Sequence, residues 1–295
     1  MLTKEQLHQK MEAGLICLDG ATGSNLQKAG MPKGVSTEQW ILDHPQALMD
    51  LQQRYALAGS QILYAPTFQA QPIALEKAGL SSMTEQINAK LVSLTRQAAP
   101  DVLVAGNLTT LAAFLDTRDS QNFDCMVENY RRQIRGLIDG GADLLAAETL
   151  VYPQDAEAIL TAAELEQAGA CMYSFTMFSD GFLFSNADSG PILADLESAG
   201  AAAVGFNCVS ADMMAPHLVR YLRRYVRGPL LCKPNAGVPT IRQDGIVEYS
   251  MGPEEFSEIL MQCRRNGATL LGGCCGTDPQ FIRHFRNKIS QQKDS

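Results

Sequence analysis

Gly140-Gly141-Ala142-Asp143-Leu144-Leu145-Ala146-Ala147-Glu148-Thr149 holds a whole architectural unit in one short run. The glycines stop a helix, because glycine just past the last helical residue accepts the left-handed conformation that the turn requires. The next residues are nearly all apolar, as in a parallel strand buried on both faces. The run ends on an acid, Glu148, where such a strand would leave the core. The preceding segment, Cys125 to Asp139, spaces its charges and apolar residues at helical intervals.

The same unit recurs along the 295 residues. Strand-like runs fall at Leu15 to Asp19, Gln61 to Tyr64, Val102 to Gly106 and Asp143 to Glu148. They continue at Cys171 to Phe175, Ala203 to Phe206, Leu230 to Lys233 and Thr269 to Gly273. Helical patterns lie between them, as in Gln46 to Ala58, Ser82 to Ala98 and Pro253 to Arg265. Glycine stops stand before strands at Ala58-Gly59-Ser60, Ala168-Gly169-Ala170, Ala199-Gly200-Ala201 and Asn266-Gly267-Ala268. Eight strands alternating with helices predict an α/β fold, a (β/α)8 TIM barrel, with residues 1–295 as one domain. A doubly wound open sheet is the alternative. Nothing breaks the alternation, however, and no dinucleotide-type glycine fingerprint is present.

Barrels of this kind place their chemistry at the C-terminal ends of the strands. Polar residues stand at those ends here: Asp19, Glu148, Asn207, Cys208, Lys233, Asn235, Cys274 and Cys275. The cysteines are the most telling. Cys274 and Cys275 are adjacent in Leu270-Leu271-Gly272-Gly273-Cys274-Cys275-Gly276-Thr277, and Cys208 closes Val204-Gly205-Phe206-Asn207-Cys208. Strands six, seven and eight are neighbours in a barrel, so Cys208 is expected to meet the pair. Gly276 loosens the backbone so that both adjacent sulfurs can turn inward. Three cysteinates would hold one zinc ion and leave its fourth position open, which distinguishes a catalytic zinc from a structural one. The bland alternative is a pair of buried thiols or a vicinal disulfide. A zinc ion with three thiolates carries a net negative charge and suits thiol activation better than hydroxide formation. A free thiol is only a few per cent thiolate near neutral pH, and coordination removes its proton.

The loop Asp19-Gly20-Ala21-Thr22-Gly23-Ser24-Asn25 lets backbone N–H groups approach an anion. Its structural alternative is an ordinary turn capped at Ser24. Glu148 can pair with an ammonium group, or can serve as a structural acid bonded to its neighbours. A carboxylate-binding loop, an ammonium-binding acid and a thiol-binding metal together describe an amino acid bearing a thiol.

The remaining composition narrows the function. The formal net charge of −8 argues against nucleic acid or anionic membrane as the main partner. No apolar run is long enough for a transmembrane helix. The polar start, Met1-Leu2-Thr3-Lys4-Glu5-Gln6, reads as a lead-in helix, so a cytoplasmic location is the expectation. Cys17, Cys171 and Cys232 sit in apolar strand runs and read as small buried hydrophobes. Cys125 and Cys263 fall on helices with no evident role. His8, His44, His217 and His284 lack metal spacing and read as structural or surface residues.

These motifs resemble those of the zinc-dependent homocysteine S-methyltransferases. The matching pieces are Leu18-Asp19-Gly20-Ala21-Thr22-Gly23, Thr67-Phe68, Glu148-Thr149, Gly205-Phe206-Asn207-Cys208, Lys233-Pro234-Asn235-Ala236-Gly237 and Gly272-Gly273-Cys274-Cys275-Gly276-Thr277. The Lys233 to Gly237 run looks most like the homocysteine-binding module of cobalamin-dependent methionine synthase. The resemblance implies a (β/α)8 barrel with Zn2+ on Cys208, Cys274 and Cys275. It implies homocysteine held by the first loop (Asp19, Gly20, Thr22, Gly23) and by Glu148, with Asn235 next to the metal. Tyr64-Ala65-Pro66-Thr67-Phe68-Gln69-Ala70-Gln71 departs from the usual wording of that loop, which leaves the donor and the thiol acceptor open.

The chain has no length for folate, cobalamin or reactivation modules, so the methyl is expected from a separate corrinoid protein. S-methylmethionine or betaine is the alternative donor. Two further readings compete: a Schiff-base lyase working through Lys233, and a non-catalytic barrel that binds zinc and thiols.

Overall fold

A computed structural model describes residues 1–12, 14–212, 214–241 and 247–291. The barrel strands are β1 (Ile16–Cys17), β2 (Ile62–Tyr64), β3 (Leu103–Leu108), β4 (Leu144–Leu150), β5 (Cys171–Phe175), β6 (Ala203–Ser210) and β7 (Leu230–Asn235). A hairpin of β8 (Pro239–Ile241) and β9 (Val247–Tyr249) follows, and β10 (Leu270–Leu271) completes the ring. The sheet order is β1-β10-β7-β6-β5-β4-β3-β2, with every neighbouring pair parallel. A parallel bridge between Leu18 and Ile62 joins the two outer strands and closes the barrel. At this seam the Gln61 N–H donates to Cys17 O (2.7 Å), and the Cys17 N–H donates to the Gln61 side-chain carbonyl (2.9 Å). The (β/α)8 expectation is met, with helices such as Pro45–Ala58 and Phe123–Asp139 around the ring.

Strand alternation divides the core. Ile16, Leu18, Leu144 and Ala146 point into the barrel with Ile62, Met172, Leu231 and Leu270. Cys17, Leu145, Cys171 and Cys232 point outward into the larger helix–sheet core, as expected of buried, inert thiols. The N-terminal helix, Lys4–Glu12, closes the lower end of the barrel. Its Leu7 belongs to the interior cluster and is fully buried. Leu2 ties the strap down through Leu2 N–H to Asp143 O and Ala170 N–H to Leu2 O, each 2.7 Å. Any site must therefore open at the other, C-terminal end.

Four of the five expected glycine stops adopt the left-handed conformation: Gly59, Gly141, Gly200 and Gly267. Gly169 does not. The helix Pro153–Leu165 turns instead at Gln167 (φ 51°). Gly169 is required by close approach, since a Cβ there would lie 2.2 Å from Leu2 O. Strands β1 and β10 are shorter than expected. Strands β3, β4, β6 and β7 run past the expected limits, and the upper rim is bulged at β4 and β6. Register slips between Ala147 and Leu150 and between Asn207 and Ser210. Each slip holds a residue with φ 59°, Thr149 and Cys208, which no glycine announces in the sequence.

Candidate active site

The upper ends of the strands surround a cavity of about 690 Å³. Cys208, Cys274 and Cys275 lie on its lining, and their sulfurs all fall within 4.8 Å of one another. Cys208 Sγ and Cys275 Sγ are 3.7 Å apart. Ligands held at ~2.3 Å in a tetrahedron stand ~3.8 Å apart, so Cys208 and Cys275 already have the spacing a zinc ion needs. The bulge at Cys208 brings its sulfur to the pair. Gly276, with φ 82°, turns the chain after Cys275 and packs its Cα face on the Tyr249 ring, where a Cβ would meet Cγ at 2.3 Å. The Cys274 N–H donates to Pro234 O (2.8 Å) and the Ala236 N–H to Cys275 O (2.9 Å), which clamps the pair to the end of β7.

The three thiols share their protons unevenly. Hydrogen bonds from Cys208 and Cys274, and a further one from the Tyr249 hydroxyl, pull the Cys275 thiol down to about 3. The same sharing pushes Cys208 up, because its proton serves the other two sulfurs. These residues fit a metal ion of zinc's softness and geometry.

Asn207 braces both bulges. Its side-chain carbonyl accepts from the Thr149 N–H (2.7 Å) and Ser174 Oγ (3.0 Å), and its amide donates to Thr149 Oγ1 (2.7 Å). The amide also reaches Cys274 Sγ at 3.8 Å. A positive φ at a β-branched residue is uncommon and costly. At Thr149 it persists because Asn207 holds both its backbone and its hydroxyl.

A charged group lies next to the sulfurs. Lys233 Nζ is 3.0 Å from Asp19 Oδ1, 3.6 Å from Glu148 Oε2 and 3.6 Å from the centre of the Tyr64 ring. Asp19 is fully buried, and its second oxygen accepts from the Tyr64 N–H (2.7 Å). Burial pushes its carboxyl up to about 6, against the pull of Lys233. Glu148 Oε1 accepts from Asn107 Nδ2 (2.8 Å), while Oε2 is buried without a hydrogen bond among the described residues. Burial raises Glu148 as well. Burial works against a charged Lys233, but Asp19 and Glu148 outweigh it and hold the ammonium well above the usual lysine range. A lysine kept protonated in this way is not a nucleophile, which disfavours the Schiff-base reading.

Of the expected substrate residues, Gly20, Thr22, Gly23 and Glu148 line the cavity. Asp19 and Asn235 do not. Asp19 sits behind Lys233, and Asn235 lies buried at the end of β7 with its side-chain oxygen unpaired among the described residues. The first loop leads into the helix Gly23–Lys28, with Thr22 rather than Ser24 in the cap position. Among the described residues, the N–H groups of Thr22, Gly23 and Ser24 make no hydrogen bond and remain available to an anion. Gly20 has no room for a side chain, since a Cβ would lie 2.6 Å from both Thr277 Oγ1 and the Tyr55 hydroxyl. Sequence reasoning missed Tyr64, Asn107 and Tyr249. The strand-end rule extended by one residue would have found Asn107 after Gly106. Tyr249 lies on a hairpin without periodic signal.

The sequence profile of homocysteine S-methyltransferases matches residues 16–289. The chain belongs to the homocysteine S-methyltransferase family. It is 26% identical to the methionine synthase of Mycobacterium leprae (strain TN), over 98% of this chain and 25% of that protein. It thus spans about a quarter of the length of this relative. The metallated form of the homocysteine methyltransferase MmuM from Escherichia coli superposes with a TM-score of 0.79 at 25% identity, covering 93% of this chain and 96% of that one. The carboxyl transferase domain of Rhizobium etli pyruvate carboxylase shares the fold alone, with a TM-score of 0.55 at 14% identity over 98% of this chain and 51% of that one. The matched residues 16–289 include Cys208, Cys274 and Cys275, the cluster that could hold a metal ion.

Proposed function

We propose that this barrel, residues 1–295 as one domain, transfers a methyl group to the thiol of homocysteine and forms methionine. The observation that carries this reading is the set of three sulfurs within 4.8 Å of one another on the wall of a cavity that also exposes Glu148 and the first loop. Zinc held by Cys208, Cys274 and Cys275 would take the acceptor sulfur as a thiolate and keep it nucleophilic. The chain's own residues do the rest. The free N–H groups of Thr22 and Gly23 receive the acceptor carboxylate. Glu148 Oε2 receives its ammonium, and Asn107 fixes the orientation of Glu148 through the other oxygen. Gly20 keeps the loop close to the strand ends. Asp19 acts from behind through Lys233. Asn235 adjoins Ala236, which is bonded to Cys275, and its unpaired oxygen suits a polar contact in the loaded site.

The methyl donor in this reading is a separate methyl-corrinoid protein, in keeping with the resemblance to methionine synthase. Docking of a macromolecule is supported by apolar side chains exposed around the upper rim. Phe178, Phe182 and Phe184 stand in the loop after β5, and Val238, Ile241 and Val247 on the hairpin after β7. Clustered exposed apolar surface of this kind marks interaction sites. A second reading keeps the same acceptor chemistry with S-methylmethionine or betaine as donor. It is favoured by the size of the cavity and by the wall that Pro66, Phe68 and Gln69 build, pinned by Gln69 N–H to the buried Glu38 (2.8 Å). No described helix is long and apolar enough to cross a membrane, and a cytoplasmic location belongs to the same proposal.

The experiment is a donor panel. Zinc-loaded protein and homocysteine are offered a methyl-corrinoid protein, S-methylmethionine, betaine and methyltetrahydrofolate, and methionine is measured. Turnover with the corrinoid protein alone is expected. Turnover with S-methylmethionine or betaine and no corrinoid would establish the second reading, and no methionine from any donor would point to a barrel that binds thiols without turnover.

A further inference from the structure

The acidic pair best placed to meet a substrate ammonium already holds an ammonium of the protein's own. Lys233 is nearly fully buried, and its Nζ touches Asp19, faces Glu148 and lies over the Tyr64 ring. The two acids are not equivalent. Asp19 is saturated, with one oxygen on Lys233 and the other on the Tyr64 N–H. Glu148 is saturated on one side only. Its Oε2 is 3.6 Å from Lys233, too far for a normal hydrogen bond, and it has no hydrogen-bond partner among the described residues. Both Glu148 and Lys233 line the cavity, and Asp19 does not.

We propose that Lys233 is a specificity-determining residue that widens the acceptor class to thiol carboxylates with or without an α-ammonium group. This rests on the zinc–thiol reading above. The reason is the state of the site when no substrate ammonium is present. Without Lys233, Asp19 and Glu148 would be two neighbouring acids in a dry pocket, able to stay ionised only opposite a cationic ligand and otherwise taking up a proton. A buried charge left without a partner is heavily penalised. With Lys233 in place, Asp19 is neutralised permanently and Glu148 keeps a counter-charge a short movement away. A thiol acid that lacks the ammonium leaves Glu148 leaning on Lys233 and not bare. The converse case is harsher. Homocysteine bound opposite a neutral residue 148 would bury its own ammonium unpaired. The site therefore accepts an ammonium but does not demand one.

The test compares homocysteine with des-amino homocysteine, the thiol acid that lacks only the ammonium. Both are titrated calorimetrically into zinc-loaded native protein and into zinc-loaded Lys233→Met. The native protein is expected to prefer homocysteine by less than tenfold. The preference should grow at least tenfold in Lys233→Met, because no lysine then faces Glu148 Oε2 in competition with the ligand ammonium. A residue with a merely structural role would weaken both thiols alike and leave the ratio unchanged. A native preference of tenfold or more overturns the proposal whether or not the variant folds. So does an unchanged ratio in a folded, zinc-loaded variant. Binding of neither thiol to the native protein would instead overturn the zinc–thiol reading itself.

Discussion

At its lower end the barrel is closed by Leu7 and the strap through Leu2, and its interior there is filled by Ile16, Leu144, Ala170 and Ala202. At its upper end it carries buried ionisable groups on Asp19, Glu148 and Lys233, two non-glycine residues in the left-handed region, and three free cysteines. The lower end satisfies each packing rule. The upper end breaks several at once and survives because Asn207, Asn107 and the Tyr64 N–H brace the offending groups. Stability and reactivity are thus separated along the barrel axis. A change at one end should leave the other nearly untouched.

The largest effect should come from the cysteines. Cys208→Ala or Cys275→Ala should strip bound zinc and abolish methyl transfer while circular dichroism and the unfolding midpoint barely move from those of the metal-free native protein. The side chains are small and lie on the cavity wall, outside the core. A collapse of the fold in either variant would show that the two ends are not independent. Leu7→Ala tests the other direction. Truncating a fully buried leucine costs about 2–5 kcal/mol of stability, read by denaturant unfolding. Zinc content of the folded fraction should stay near one per chain. Loss of zinc in parallel with stability would contradict the separation.

Glu148→Gln should have a smaller and purely local effect. Homocysteine affinity should fall by roughly 1.5–3 kcal/mol, the range for a hydrogen bond to a charged group, with zinc and stability unchanged. Calorimetric titration reads it, and an unchanged affinity would make Glu148 a structural acid.

The two ends also differ in how far the sequence displays them. The strands that line the lower barrel are legible because nothing competes with their apolar pattern: β4 and β5 stand where Leu144-Leu145-Ala146-Ala147 and Cys171 to Phe175 predict them. The cysteine triad is legible in outline, since strand order places the end of the Cys208 strand one strand away from the Cys274/Cys275 pair, and the bulge completes the approach. The bulges at Thr149 and Cys208 are not, because a residue forced to positive φ by its neighbours leaves no glycine behind. The hairpin of β8 and β9 is hidden for another reason. Its strands are largely exposed, so no alternation marks them, and Tyr249 is lost with them. The Asp19–Lys233 pair joins residues 214 positions apart. Each residue can be placed at a strand end from sequence, but their mutual capture, which removes Asp19 from the cavity surface, depends on the closed ring.

Zinc bound by the three upper-rim cysteines, with room for one more sulfur, is best tested by X-ray absorption at the zinc edge of the native protein. Three sulfur neighbours are expected without substrate and four at saturating homocysteine, with release of one proton. An unchanged sulfur count on saturation, or full activity in a metal-free preparation, would contradict direct activation of the acceptor thiol at this site.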